Sequence, residues 1–326
     1  MEQKQQRGPS VILYFLAGTF ALFVLVLVVF ALVMDFDSPD SRRTGLSGFS
    51  RKPAVGIIDL EGPIFDSRDF VDTLEEYRKE EKVRAVVVRV DSPGGAVAPS
   101  QEIYHAILKL RETGKPVVVS MGSLAASGGY YVSSAANKVL ANPGTITGSI
   151  GVIMQFANYA ELMDKIGVKA QALTNSRGKF KDIGSPQRDM RPEEKKLLQT
   201  MMDQVYEQFV RDISYGRGLD AENVYPFADG RIFSGEQALE NGFVDGLGGF
   251  EDAVAMAAEL GGIEDDEPQR IYPREPEPTF WDMLSGEEAS TRLLQRLLPG
   301  LSGALGEGGP LPLPTHSGGL YYLFVP

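Results

Sequence analysis

Three short runs, Val55-Gly-Ile-Ile-Asp-Leu, Arg84-Ala-Val-Val-Val-Arg-Val and Pro116-Val-Val-Val-Ser-Met, are apolar almost throughout and rich in β-branched residues. A strand with one face in water alternates apolar with polar residues, so runs this continuous read as strands buried on both faces. Between them lie segments of helical character, a charged amphipathic one at residues 72–82 and another at 99–111. Buried strands alternating with helices form a mostly parallel sheet covered on both sides. The pattern continues with a small-residue helix from about residue 125, further strands within 138–154 and at 170–174, and a helix at 159–166 between them. A long helix follows from Pro192 to about residue 215, with proline in the first turn, where no N–H is needed. No internal repeat is apparent, and one α/β domain over residues 54–262 accounts for the pattern.

The flanks differ in character. Residues 11–34 form a 24-residue run without charge, long enough to cross a bilayer as a helix. Lys4 and Arg7 precede it and Asp35, Asp37 and Asp40 follow, which predicts residues 1–10 on the cytoplasmic side and the remainder outside. A cleaved signal peptide would have a shorter apolar region and a small-x-small site, and Leu-Val-Met-Asp-Phe-Asp offers none. The run therefore reads as a single anchor and residues 35–53 as a tether. Residues 263–279 are acidic and proline-rich, a linker by composition. Residues 280–298 can form an amphipathic helix bearing Trp281, Leu284, Leu294 and Leu298. The Gly/Pro-rich tail, 299–326, ends in the apolar Leu320-Tyr-Tyr-Leu-Phe-Val-Pro. Two readings of that ending are open: it docks on the domain or a neighbouring subunit, or it lies in a peptide groove of the protein as a pseudo-substrate.

Composition narrows the chemistry. A net charge of −12 argues against nucleic acid as a partner. The absence of cysteine removes disulfides, thiolate metal sites and a thiol nucleophile together. Three glycine-rich loops follow strand ends, where open α/β sheets bind ligands: Asp91-Ser-Pro-Gly-Gly, Gly122-Ser-Leu-Ala-Ala-Ser-Gly-Gly-Tyr-Tyr, and Gly144-Thr-Ile-Thr-Gly-Ser-Ile-Gly-Val, the last feeding an apolar strand. In the second, Ser127 sits among residues too small to shield it, near a helix start that favours negative charge. A plain turn and a close-packed small-residue helix are the non-catalytic readings of the first two loops. A serine nucleophile needs a base. Only His105, on a helix beside Tyr104, and His316, in the tail, are available as histidines. A lysine can serve if burial lowers its pKa from about 10.4. Lys195 and Lys196 have the setting of a solvated helix face, while Lys179 and Lys181 lie in Arg177-Gly-Lys-Phe-Lys-Asp-Ile-Gly-Ser-Pro. Spacing alone does not choose between these two.

Over about residues 54–262 the sequence resembles the signal peptide peptidase A family of serine peptidases, related to the Clp protease and crotonase fold. The motifs are Asp91-Ser-Pro-Gly-Gly, Ala125-Ala-Ser-Gly-Gly-Tyr-Tyr, Gly148-Ser-Ile-Gly-Val, Lys181-Asp-Ile-Gly-Ser-Pro and Gly230-Arg-Ile-Phe-Ser-Gly-Glu-Gln-Ala-Leu-Glu-Asn-Gly-Phe-Val-Asp. The resemblance implies an α/β fold of repeated ββα units and a Ser–Lys dyad, with Ser127 as nucleophile and Lys181 as general base. It implies that Ser149 hydrogen-bonds the lysine and that the backbone N–H groups of Gly95 and Gly128 form the oxyanion hole. It implies acyl transfer without metal or cofactor. It further implies remnant signal peptides and other apolar or unfolded peptides as substrates, a homo-oligomeric ring, and a dyad that can be completed across a subunit boundary. With the anchor, the expected place is the bacterial inner membrane, catalytic domain on the periplasmic side. Three other readings compete with this one: a non-catalytic membrane scaffold of the same fold, a stomatin-associated membrane peptidase, and a crotonase-like enzyme acting on acyl-CoA. The presence of both dyad residues disfavours the first. A tail too short to span disfavours the second, and the external location the third.

Overall fold

The computed structural model of the chain describes residues 52–265, 267–273 and 321–323. The proposed anchor at 11–34, the tether up to residue 51 and the amphipathic segment at 280–298 lie outside these residues. Among the described residues, no helix is long and apolar enough to cross a membrane.

The predicted valine-rich runs form the centre of the sheet. β1 (Ala54–Glu61) pairs in parallel with β2 (Val83–Ser92), with Ile57 opposite Val87. A short β3 (Gly94–Ala96) follows β2, and β4 (Val117–Ala126) pairs in parallel along β2's other edge. β4 then forks. Its first half pairs with β5 (Lys138–Ala141) and its last residues with β6 (Ile146–Gly148), both in parallel. β7 (Ile232–Ser234) closes the β6 side as the antiparallel strand, and β8 (Gly246–Leu247) lies beside β5. On the opposite edge β9 (Gln269–Ile271) pairs in parallel with Ala54–Gly56 of β1, so part of the stretch read as a linker belongs to the sheet.

Alternation along each strand sorts the side chains between two apolar layers. Val86, Val88 and Val90 enter one layer, and Ala85 and Val87 the other. The larger layer is covered by α1 (Arg68–Lys79), α2 (Val97–Glu112), α3 (Gly128–Ser134) and the C-terminal half of α5 (Pro192–Arg217). Here Tyr131 meets Phe209 edge-on at 5.0 Å and lies tilted against Tyr104 at 4.8 Å, while the Tyr131 hydroxyl donates to Asp212 at 2.5 Å. The smaller layer is closed by α8 (Phe250–Leu260), whose Ala253, Val254, Ala257 and Ala258 let it sit close to the sheet. The short α6 (Ala221–Val224) and α7 (Gly235–Glu240) complete the region after α5.

Further expectations change along the chain. Residues 170–174 form no strand; the stretch from Lys169 to Arg177 is exposed, with no sheet edge to satisfy its backbone. The glycine loop at 144–152 does not feed an apolar strand: its own Ile146–Gly148 is the strand, and the chain leaves the sheet afterwards. Between β6 and α5 it makes an excursion whose only regular element is α4 (Ala160–Lys165), a helix with no buried residue.

Candidate active site

β4 runs straight into Ser127, and α3 starts at the next residue. The small-residue stretch expected to be helical from about residue 125 is therefore strand through Ala126. Ser127 makes the turn with φ 53° and ψ −115°, a conformation that non-glycine residues adopt at a cost. The turn is fixed from both sides: Ser127 N–H donates to Gly148 O (2.8 Å), and Tyr131 N–H donates to Ser127 O (2.8 Å). Further back, Asp91 at the end of β2 accepts from Ser123 N–H (3.3 Å) and Leu124 N–H (3.2 Å), tying the last part of β4 to its neighbour. Asp91 thus holds the approach to Ser127.

Ser127 and Ser149 are both buried and both line a cavity of about 570 Å³. Ser149 also has positive φ, 52°, and its N–H donates to Arg231 O at 2.7 Å. Gly151, Val152 and Ile153 continue the lining; α5 adds Gln199, Met202, Asp203 and Tyr206, and Ala228, Asp229 and Gly230 face them. Arg231 donates to Asp229 through Nε (2.7 Å) and Nη2 (2.6 Å) and lowers that carboxyl to about 2. Burial raises the Tyr206 phenol above its ordinary value. The α5 wall was not predicted, because its residues read as ordinary positions of an amphipathic helix. The Gly230 end of the opposite wall lay in a quoted motif.

The two glycines implied as oxyanion donors are neighbours. A Cβ on Gly128 would lie 3.1 Å from Gly95 N, 3.1 Å from Gly94 Cα and 2.8 Å from Ser100 Oγ. A Cβ on Gly95 would lie 2.0 Å from Ile64 O. Both close approaches require glycine, so β3 is pressed between the 62–64 loop and the start of α3.

Lys181 is not among the residues lining the Ser127 cavity. It is exposed, in a turn where its N–H donates to Gly178 O at 2.9 Å. Lys179 pairs with Glu193 at 3.3 Å, whereas Lys181 makes no ion pair among the described residues. The segment carrying both is fastened to the start of α5. The buried Glu194 accepts from Arg188 Nη1 (2.8 Å), Arg188 Nη2 (2.7 Å), Arg191 N–H (2.9 Å) and Arg191 Nη2. Arg188 Nε also donates to Asp182 at 2.9 Å. These bonds, those from Arg188 first, hold the Glu194 and Asp182 carboxyls below the usual range. The same excursion exposes Phe156, Tyr159, Leu162, Ile166 and, almost completely, Leu173. Of the other basic candidates, Lys195 and Lys196 are exposed, as expected, and His105 is an exposed helix residue bonded to Gln101 O at 2.7 Å. His316 lies outside the described residues.

Comparison with known proteins identifies the family. The profile of peptidase family S49 matches residues 109–264. A relative from Synechocystis sp., whose name marks it only as a candidate protease, is 43% identical over 239 residues, 73% of this chain and 85% of its own. Protease 4 of Salmonella typhi is 37% identical over 254 residues, and the chloroplastic serine protease SPPA of Arabidopsis thaliana 32% over 257. The match covers 75% and 78% of this chain but only 40% and 38% of those longer proteins. Matched along most of the Synechocystis relative, and carrying a parallel-rich α/β sheet that fits the fold, the chain belongs to peptidase family S49, the signal peptide peptidase A family of serine peptidases.

Proposed function

We propose that the chain is a membrane-anchored endopeptidase that cleaves apolar or unfolded peptides, remnant signal peptides among them, with Ser127 as nucleophile and Lys181 as general base. The observation that carries this reading is Ser127 itself. It is held in a strained turn at a strand–helix junction, on a cavity it shares with Ser149, beside a helix start packed on Gly95. Neutral Lys181 takes the Ser127 proton as the oxygen attacks the peptide carbonyl. The N–H groups of Gly95 and Gly128 receive the oxyanion and Ser149 orients the lysine; Lys181 gives the proton to the departing amine as the C–N bond breaks, then takes one from the water that attacks the acyl-enzyme and returns it to Ser127.

The position of Lys181 bears on how the dyad is assembled. An exposed lysine on an excursion with exposed apolar side chains fits a base delivered to a neighbouring subunit's Ser127. Burial in that interface would supply the desolvation that lowers a lysine pKa. The reading thus includes a homo-oligomer with shared sites, anchored through residues 11–34.

The test uses the full chain in detergent with an apolar fluorogenic peptide and a purified signal peptide. Ser127→Ala and Lys181→Ala abolish cleavage and Lys179→Ala does not, each variant being folded. Co-expressed Ser127→Ala and Lys181→Ala chains regain activity, because mixed assemblies contain sites with both intact residues. Undiminished cleavage by Ser127→Ala would refute the reading and favour the scaffold alternative.

A further inference from the structure

Of the loop Asp91-Ser-Pro-Gly-Gly, the mechanism above uses only the last glycine. Ser92 ends β2 completely buried. Pro93 after it has no N–H and favours an extended residue before it, so the first free amide beyond the strand is that of Gly94. The Ser92 hydroxyl takes that amide, accepting from Gly94 N–H at 3.1 Å, and donates to Gly62 O at 2.6 Å. A buried hydroxyl whose single proton and acceptor side are both engaged ties two stretches of chain together. These two stretches hold Gly95. Gly94 begins β3, and the 62–64 loop grips β3 through Ile64 N–H to Gly94 O (2.9 Å) and Ala96 N–H to Ile64 O (2.7 Å). The backbone of Ser92 meets the other half of the site. It stands opposite Ala125 of β4, two residues before Ser127. A Cβ on Gly129 would lie 2.8 Å from Ser92 O, so α3 starts directly against it.

We propose that Ser92 is the positioning residue of the oxyanion site: its hydroxyl sets where the Gly95 N–H stands relative to Ser127 and Gly128. This rests on the assignment of those three residues to the active site. Ser92 touches no reacting atom, so its effect falls on the tetrahedral stage, when charge builds on the carbonyl oxygen, and hardly on peptide affinity. With alanine at position 92, Gly94 N–H and Gly62 O lose a buried partner and β3 is free to shift against α3. Outright loss of one oxyanion donor costs about 100- to 1,000-fold in rate, and a displaced donor costs less. Ser92→Ala therefore lowers kcat about 10- to 100-fold and changes KM by less than about twofold. Its neighbour Asp91 grips the opposite partner: through Ser123 and Leu124 N–H it holds the strand that carries Ser127. Adjacent side chains at the end of β2 thus fix the nucleophile and its oxyanion donors from one post.

The test compares Ser92→Ala with Ser134→Ala in the full chain in detergent. Ser134 is as deeply buried, and its hydroxyl donates to Tyr131 O (2.7 Å) at the far end of α3, so its loss costs stability without touching β3. Ser92→Ala lowers kcat as stated and weakens a peptide boronate, which forms a tetrahedral adduct on Ser127, by the same factor. Its affinity for an intact peptide, measured in a Ser127→Ala background, is unchanged. Ser134→Ala alters none of these. Ser92→Cys keeps the volume but is a weak donor and acceptor; its kcat falls between those of serine and alanine, and it carries the test if alanine at 92 does not fold. Hydrogen exchange in the Ser127→Ala background reads the pinning without any cleavage. There Ser92→Ala speeds exchange of the Gly94 amide about tenfold or more, and Ser134→Ala does not. Unchanged exchange at Gly94 would overturn the pinning whether or not the chain cleaves peptides. Faster exchange with kcat unchanged, or an equal fall of kcat in Ser134→Ala, would overturn the positioning role. A wild type that cleaves no peptide would instead refute the peptidase reading on which that role rests.

Discussion

The backbone at Ser127 makes a quantitative prediction about stability that is separable from catalysis. With φ 53° and ψ −115°, the residue occupies a region where a Cβ costs about 1–3 kcal/mol and glycine costs little. At an ordinary buried position, alanine to glycine loses about 0.8 kcal/mol of buried methyl and about 0.5–1 kcal/mol of chain entropy, about 1.5 kcal/mol together. Ala126 is such a position: fully buried, in β4, one residue before the turn. At position 127, relief of about 2 kcal/mol offsets that loss. Ser127→Gly should therefore match Ser127→Ala in stability or exceed it by about 0.5 kcal/mol, while Ala126→Gly falls about 1.5 kcal/mol below wild type. At about 2–4 °C per kcal/mol for a domain of this size, the two alanine-to-glycine steps differ by about 4–8 °C in Tm. Thermal unfolding followed by circular dichroism reads this on inactive and active chains alike. If Ser127→Gly falls below Ser127→Ala as far as Ala126→Gly falls below wild type, the turn stores no strain.

Other consequences can be checked separately. Gly128→Ala places a methyl 2.8 Å from Ser100 Oγ and 3.1 Å from Gly95 N; displacing one of the two proposed oxyanion donors should lower kcat about 100- to 1,000-fold with little change in KM. Phe209→Ala, which opens the contact between α5 and Tyr131, should cost about 3–5 kcal/mol in urea unfolding. Glu194 and Asp182 have carboxyls depressed in the folded state, so the stability they contribute is complete above about pH 4.5 and is lost as pH falls toward their folded values. Hydrogen exchange between pH 6 and 3 should therefore show the 177–191 segment opening as acid is added. Arg188→Ala should leave that segment open already at pH 6.

The sheet was legible in the sequence because its cause is local. Unbroken valine-rich strands can be satisfied only by burial on both faces, and helical segments between them leave a parallel arrangement as the economical solution. Pro192 marked the start of α5 for an equally local reason. At residues 170–174 the same reasoning failed: strand propensity produces a strand only where an edge is offered, and none is offered there. Ser127 was marked by its glycine-rich surroundings and Ser149 only by the family resemblance, but that both carry positive φ and share one cavity belongs to the fold, where β4 forks toward β6, and no spacing encodes it. Lys179 and Lys181 were indistinguishable as residues two apart in a mixed segment. Both are exposed in the fold, which separates them only in giving Lys179 a carboxylate partner, Glu193, while Lys181 makes no ion pair among the described residues. The tail's apolar character was visible in its letters, whereas the antiparallel pairing of Tyr321–Leu323 with β3 was not. Pairing across more than 200 residues depends on the edge of β3 that Ile64 leaves open, and that edge exists only once the chain has folded.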